Sequence, residues 1–104
     1  MENLTIGEFE YRIKKMNAIE LLALQTQVSF DSFENAAKCY ETILERIEVK
    51  MGERWLQVKE TGKNVFYPVD IENDIETITT LIKHFMAYLK EVFQKSNESN
   101  SKTE

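Results

Sequence analysis

Apolar and charged residues alternate near the start of the chain. This period of two predicts a β-strand with one buried face within residues 4–16. Gly7 interrupts the pattern, so a turn or bulge is expected between residues 4–6 and the main strand. The apolar positions of the main strand are Phe9, Tyr11 and Ile13.

A short helix is predicted next. Asn17 is a good N-cap, and Glu20 three residues on can return a bond to the Asn17 amide, in the manner of a capping box. The helix is therefore expected to run from Ala18 to about Val28. Its expected apolar face consists of Ile19, Leu22 and Ala23, with Leu21 and Leu24 close by.

A second helix follows residues 30–32, which resemble another N-cap. Apolar residues recur there at spacings of three and four, as in an amphipathic helix. They are Phe33, Ala36, Ala37, Tyr40, Ile43, Leu44 and Ile47.

The pattern then changes to β-branched and aromatic residues around Gly52-Glu53, a pair suited to a type II′ hairpin turn. The two arms would share an apolar face made of Val49, Met51, Leu56 and Val58. Residues 60–64 indicate another turn, and residues 65–67 a third strand ended by Pro68. The sequence therefore predicts a three-stranded antiparallel meander over residues 48–68.

A long C-terminal helix is the last predicted element. Asp70 would cap it, and acidic residues early and lysines late would complement its dipole. Residues 96–104 are polar and are expected to form a disordered tail after a single domain of residues 1–95. The fold class is thus α+β. The apolar positions of the helix have heptad spacing and are Ile75, Ile78, Ile82, Phe85, Leu89 and Val92.

The composition and net charge of the chain exclude several kinds of protein and site. The 104 residues carry a formal charge of −5, which disfavours a dedicated nucleic-acid binder. A single Cys excludes an intrachain disulfide, and a single His excludes a site with two imidazoles. There is no signal-peptide pattern and no apolar run long enough to span a bilayer, so a cytoplasmic protein without membrane association is expected.

Candidate chemistry is sparse. The acidic string Asp70, Glu72, Asp74 and Glu76 lacks the Gly and Glu of an EF-hand loop, so a charged helix start explains it better than calcium. Cys39 and His84 would be a boundary thiol and a solvent-facing imidazole rather than a catalytic pair. No metal-ligand spacing or glycine-rich phosphate loop occurs. The expectation is a protein without enzymatic activity, metal or cofactor.

Three residues are candidates for binding a partner. The apolar stripe of the last helix is wider than a two-stranded coiled coil requires, which favours packing within the domain over a helical dimer. Tyr88 and Phe93 would be surplus to that packing and free to contact a partner. Trp55 lies either on the outer face of the hairpin, as an interface anchor, or in the core if the register shifts by one.

Four segments of the chain form a suggestive set: residues 13–22, residues 44–49, residues 55–59 and the Tyr67-Pro68 pair before an acidic helix start. Taken together, these segments resemble small tail assembly chaperones of long-tailed bacteriophages and of related prophage or bacteriocin clusters. The resemblance covers most of residues 4–95, but no functional residue can be transferred by position. It implies a cytoplasmic chaperone in the bacterial host that binds the tape-measure protein, or another tail protein, during virion morphogenesis.

Two alternatives remain open at this stage. The predicted hairpin and third strand depart from the mainly helical character of the resembled family, which leaves a structural tail or head–tail connector subunit possible. Such a subunit would form rings or polymers, whereas a chaperone would be a monomer or small homo-oligomer. An enzyme would have to depend on Cys39 or His84.

Overall fold

The computed structural model describes the backbone of residues 2–27 and 33–102, and the side chains of residues 2–25 and 35–94. Over these ranges the chain forms an α+β domain with four strands, three α-helices and one 3-10 turn. The elements are β1 (Leu4–Ile6), β2 (Phe9–Ile13), α1 (Ala18–Gln27), α2 (Phe33–Glu45), β3 (Ile47–Met51), β4 (Arg54–Gln57), the 3-10 turn (Ile71–Asn73) and α3 (Ile75–Lys102).

The sheet is an antiparallel meander with strand order β1-β2-β3-β4, and α1 and α2 are inserted between β2 and β3. Gly7 has a φ of +61° in the turn between β1 and β2, which confirms the turn predicted there. Tyr11 pairs with Val49, so the alternating apolar face of β2 continues across the sheet into β3.

The β3–β4 hairpin also follows the prediction. Gly52 has a φ of +66°, the sign required at the first central position of a type II′ turn. Met51 pairs with Arg54 and Val49 with Leu56, which gives the shared apolar face.

The predicted third strand over residues 65–67 is wrong, because the structure contains only one isolated bridge there, between Lys59 and Phe66. The Glu60 amide donates to the carbonyl of Val65, five residues further along the chain, at 2.9 Å and closes a tight loop. Pro68 has no amide hydrogen to extend the ladder.

Helix α1 begins as predicted. The Glu20 amide donates to Asn17 Oδ1 at 2.9 Å, and the Glu20 carboxylate lies 3.5 Å from the Arg46 guanidinium. The predicted buried face is wrong, since Leu24 is buried whereas Ile19 and Leu22 are exposed. The helix carries apolar residues on both sides, at about 100° per residue, so periodicity alone does not select a face.

The capping residue of α3 also differs from the prediction. Asp70 adopts a left-handed conformation before the 3-10 turn and makes no side-chain capping bond. Asp74 is the cap instead: its carboxylate accepts from the Thr77 amide at 3.1 Å and from the Thr77 hydroxyl at 2.7 Å. The four-residue shift arises because Ile71 is buried and the 3-10 turn holds it in the core.

The C-terminal ends of α2 and α3 also differ from the sequence prediction. Helix α2 ends at Glu45, and Ile47 belongs to β3 rather than to the helix. Helix α3 continues to Lys102, whereas a disordered tail was expected from residue 96. Residues 96–102 contain no Pro or Gly that would end a helix. The N-cap expected at residues 30–32 and tail residues 103–104 lie outside the described residues.

The core lies between the inner face of the sheet and the helices. Leu81, Phe85 and Leu89 of α3 are buried, so α3 packs within the domain as expected. They form one apolar cluster with buried residues of the strands, of α1 and of α2. These partners include Tyr11, Leu24, Ile43, Leu44, Ile47 and Val49.

The C-terminal end of α2 is fixed to the last residue of β4 and to the segment that follows it by polar contacts. Gln57 Nε2 donates to the Glu45 carbonyl at 2.8 Å, and the Lys59 amide donates to the Leu44 carbonyl at 3.3 Å. The buried Lys59 ammonium lies 3.7 Å from the Glu45 carboxylate and 3.2 Å from the Lys63 carbonyl oxygen. The bonds to the Glu45 and Leu44 carbonyls satisfy groups that a helix end leaves open, and so fix α2 relative to the sheet.

Candidate functional site

The outer surface of α2 and α3 forms an apolar groove of about 460 Å³. Ile78 and Ile82 are half-buried at its base, while Ile75 is 78% exposed and Tyr40 is 43% exposed. The residues that line this α2–α3 groove are Tyr40, Ile75, Ile78, Thr79, Ile82 and Lys83.

The groove follows from the sequence of α3. Its α3 residues are spaced i, i+3, i+4, i+7 and i+8 from Ile75, which places them on one side of the helix. That side adjoins the core-facing side of Phe85, so α3 carries one wide apolar stripe. The domain buries only part of this stripe, and Met86 extends the exposed part by a further turn.

The N-terminal end of the groove is anchored by the α3 cap. The two bonds from Thr77 lower the pKa of the Asp74 carboxyl, and Asp74 directly precedes Ile75. Burial of Tyr11, and secondarily the charge of Asp74, raises the pKa of the Tyr11 phenol. Both shifts favour the states present at neutral pH, a charged cap and a neutral phenol.

The three predicted partner-binding residues lie in different parts of the structure. Tyr88 and Phe93 are half-buried and pack against the core, with the Tyr88 ring centre 6.3 Å from that of Phe85. Phe93 lies in helical register with Ile75, Ile82 and Met86, whereas Tyr88 lies on the opposite edge of the stripe.

Trp55 lies on the outer face of the sheet, opposite the face that packs against α3, and pairs with Lys50. Of the two alternatives, the structure therefore has the outer-face register. The ring is half-buried because the Arg12 guanidinium lies 4.0 Å from its centre. Arg12 Nε also donates to Glu48 Oε1 at 2.8 Å, so Trp55 belongs to an ordered cross-strand group.

Cys39 and His84, the two residues with possible nucleophilic chemistry, are both more buried than the sequence predicts. Cys39 is buried in α2, whereas the sequence predicts a partly exposed thiol at the edge of the helix's apolar stripe. His84 is half-buried, so the prediction of a solvent-facing imidazole is wrong. The described ranges contain no group of three or more His, Cys, Asp and Glu side chains arranged to hold a metal ion.

Sequence reasoning missed the groove because it assigned both Tyr40 and Ile75 to the core. Ile75 is the first residue of α3, and the buried part of the helix begins only at Leu81. The available signal was the width of the apolar stripe, which exceeds what one core-facing side requires.

No protein-family model, curated protein or solved structure matches this chain. Among the residues that the structure describes, no helix has both the length and the apolar content needed to cross a membrane. The exposed apolar lining of the α2–α3 groove makes it the candidate site on the described surface.

Proposed function

We propose that this protein is a non-enzymatic chaperone of phage or prophage tail assembly, and that its α2–α3 groove holds an amphipathic helix of a tape-measure-like tail protein. The observation that carries the proposal is the exposed apolar surface of the groove, led by Ile75 at 78% exposure. An apolar groove between two helices is a common receptor for a third helix.

The dimensions of the groove support a helical client. Ile75 and Ile82 are seven residues apart, which is about 10.5 Å, or two turns, at 1.5 Å per residue. A client helix with apolar residues at i, i+3 or i+4, and i+7 would match that length. The contact would be short, as suits a chaperone that must release its client when tail tube subunits polymerise around it.

The overall charge supports the same proposal. A formal charge of −5 keeps a small protein with an exposed apolar groove soluble through mutual repulsion. Tail assembly takes place in the host cytoplasm, and we propose that location for this protein. A monomer or small homo-oligomer is expected there.

Co-expression tests the proposal. The chain is produced together with the longest predominantly helical protein encoded next to its gene, and the soluble fraction of that protein is measured with and without the chain. We expect higher solubility and a complex that elutes together in size-exclusion chromatography. Unchanged solubility without a shared peak would contradict the chaperone proposal, and rings or polymers at micromolar concentration would favour a structural tail or connector subunit.

A further inference from the structure

A second cleft, of about 390 Å³, lies between the end of β2 and α3 and is distinct from the α2–α3 groove. Basic side chains predominate in it, although the chain as a whole is acidic. Its lining includes Arg12, Lys14, Lys15 and His84, together with the acidic residue Glu2.

The two lysines of this basic cleft have no ion-pair partner among the described residues. Arg12 is paired with Glu48, whereas no carboxylate lies within 4.0 Å of the Lys14 or Lys15 ammonium in the described part of the chain. The lysines follow β2 directly, and the Lys14 amide donates to the Arg46 carbonyl at 2.8 Å. The backbone that carries them is therefore fixed to the sheet.

His84 provides an independent observation. Its Nε2 atom is buried and has no hydrogen-bond partner among the described residues. A buried polar atom without a partner is uncommon in a folded protein and calls for a physical explanation. A rotation of the imidazole that exposes Nε2 to the cleft would let an Nε2–H group donate to an anionic oxygen there.

We propose that the basic cleft binds an acidic peptide segment through carboxylates that pair with Lys14 and Lys15 and reach His84. Ile13, Met16 and Tyr88 would contact an apolar side chain between the carboxylates. A nucleic acid is a poorer fit, because its extended phosphate charge would face a protein with a formal charge of −5. The proposal does not depend on a tail protein as client.

Fluorescence anisotropy tests the proposal with a labelled peptide, Gly-Glu-Glu-Leu-Glu-Glu-Leu-Gly, at low salt. The matched probes are the same peptide with Gln in place of Glu and a labelled single-stranded oligonucleotide. Amide chemical-shift changes in the native chain locate the bound peptide independently of any variant. We expect binding of the Glu peptide alone, with shifts concentrated at Lys14, Lys15 and His84.

Two charge-reversal variants separate a local site from general electrostatics. The double variant Lys14→Glu/Lys15→Glu should lower the affinity for the Glu peptide by about tenfold. Each ion pair contributes modestly, and in this variant repulsion of the peptide's carboxylates replaces the attraction. The double variant Lys38→Glu/Lys90→Glu makes the same change in net charge at exposed positions outside the cleft. Its affinity for the Glu peptide should stay within about twofold of that of the native chain. Equal weakening in both variants, binding of the Gln peptide, stronger binding of the oligonucleotide, or shifts elsewhere would overturn the proposal.

Discussion

The guanidinium carbon of Arg12 lies 4.0 Å from the centre of the Trp55 ring, across the outer face of the sheet. The two residues belong to strands that are not neighbours, and Glu48 on the strand between them pairs with Arg12. The contact therefore links three strands on the face that the helices leave uncovered.

This relationship predicts an energetic coupling. In a double-mutant cycle with Arg12→Met and Trp55→Leu, the free energy of unfolding should show a coupling of about 0.5–1 kcal/mol, typical of an exposed cation–π pair. Urea denaturation of the four proteins measures it. Additive effects would show that the two side chains contribute independently.

The ion pair between the buried Lys59 and Glu45 should contribute more to the free energy of unfolding than the shorter, exposed pair between Lys63 and Glu60. Lys59→Ala removes the partner of the Glu45 carboxylate and should lower the free energy of unfolding by about 1–3 kcal/mol. The matched control is Lys63→Ala, which breaks the 3.0 Å pair with Glu60 at the surface and should cost less than about 0.5 kcal/mol. A larger loss for Lys63→Ala in thermal or urea unfolding would contradict the role given to burial.

The cap of α3 predicts a dependence of stability on pH. The folded-state pKa of Asp74 is lowered, so its contribution is present above the ordinary carboxyl pKa of 3.8 and is lost as the pH falls through the folded-state value. Asp74→Asn keeps a good capping residue but removes the titratable carboxyl. The free energy of unfolding of this variant should therefore fall less steeply as the pH is lowered, which acid titration of the folded protein measures. Asp70→Asn is the control, since Asp70 makes no capping bond. An equal effect at Asp70 would refute the assignment of the cap.

Phe85 is fully buried, so its truncation tests the packing of the hydrophobic core. Phe85→Ala should lower the free energy of unfolding by about 3–5 kcal/mol through lost burial and a cavity. Met86→Ala, one residue along the helix and 37% exposed, is the neighbouring control and should cost far less. Similar losses for the two variants would contradict the orientation of α3 derived above.

Local signals in the sequence predicted much of the fold. Asn17 and Gly52 identified a helix start and a hairpin turn because each performs its task through its own backbone and nearest neighbours. The choice between the two sides of α1 depended on tertiary packing, since Leu24 and Ile19 are equally apolar. Asp70 and Asp74 have the same side chain, so their identity does not decide which of them caps α3. The burial of Ile71 in the 3-10 turn places the start of the helix after Asp74.

The candidate site could be predicted only in outline. A surplus apolar stripe on α3 was visible in the sequence, but the exposed part is at Ile75 and Met86 rather than at Tyr88. Exposure depends on where the core ends, and that boundary is set by contacts between elements distant in sequence. The second wall of the groove, Tyr40, depends on how α2 packs beside α3.

The most direct test of the central claim compares Ile75→Asn with Ile19→Asn. Both are isoleucines in the first turn of a helix with 78% exposure, but only Ile75 lines the α2–α3 groove. The measurement is the Kd of each variant for the helical protein of the co-expression experiment, by isothermal titration calorimetry. We predict about tenfold weaker binding for Ile75→Asn, from the loss of one buried apolar side chain, and an unchanged Kd for Ile19→Asn. Equal affinities for the two variants would contradict the groove as the client-binding site.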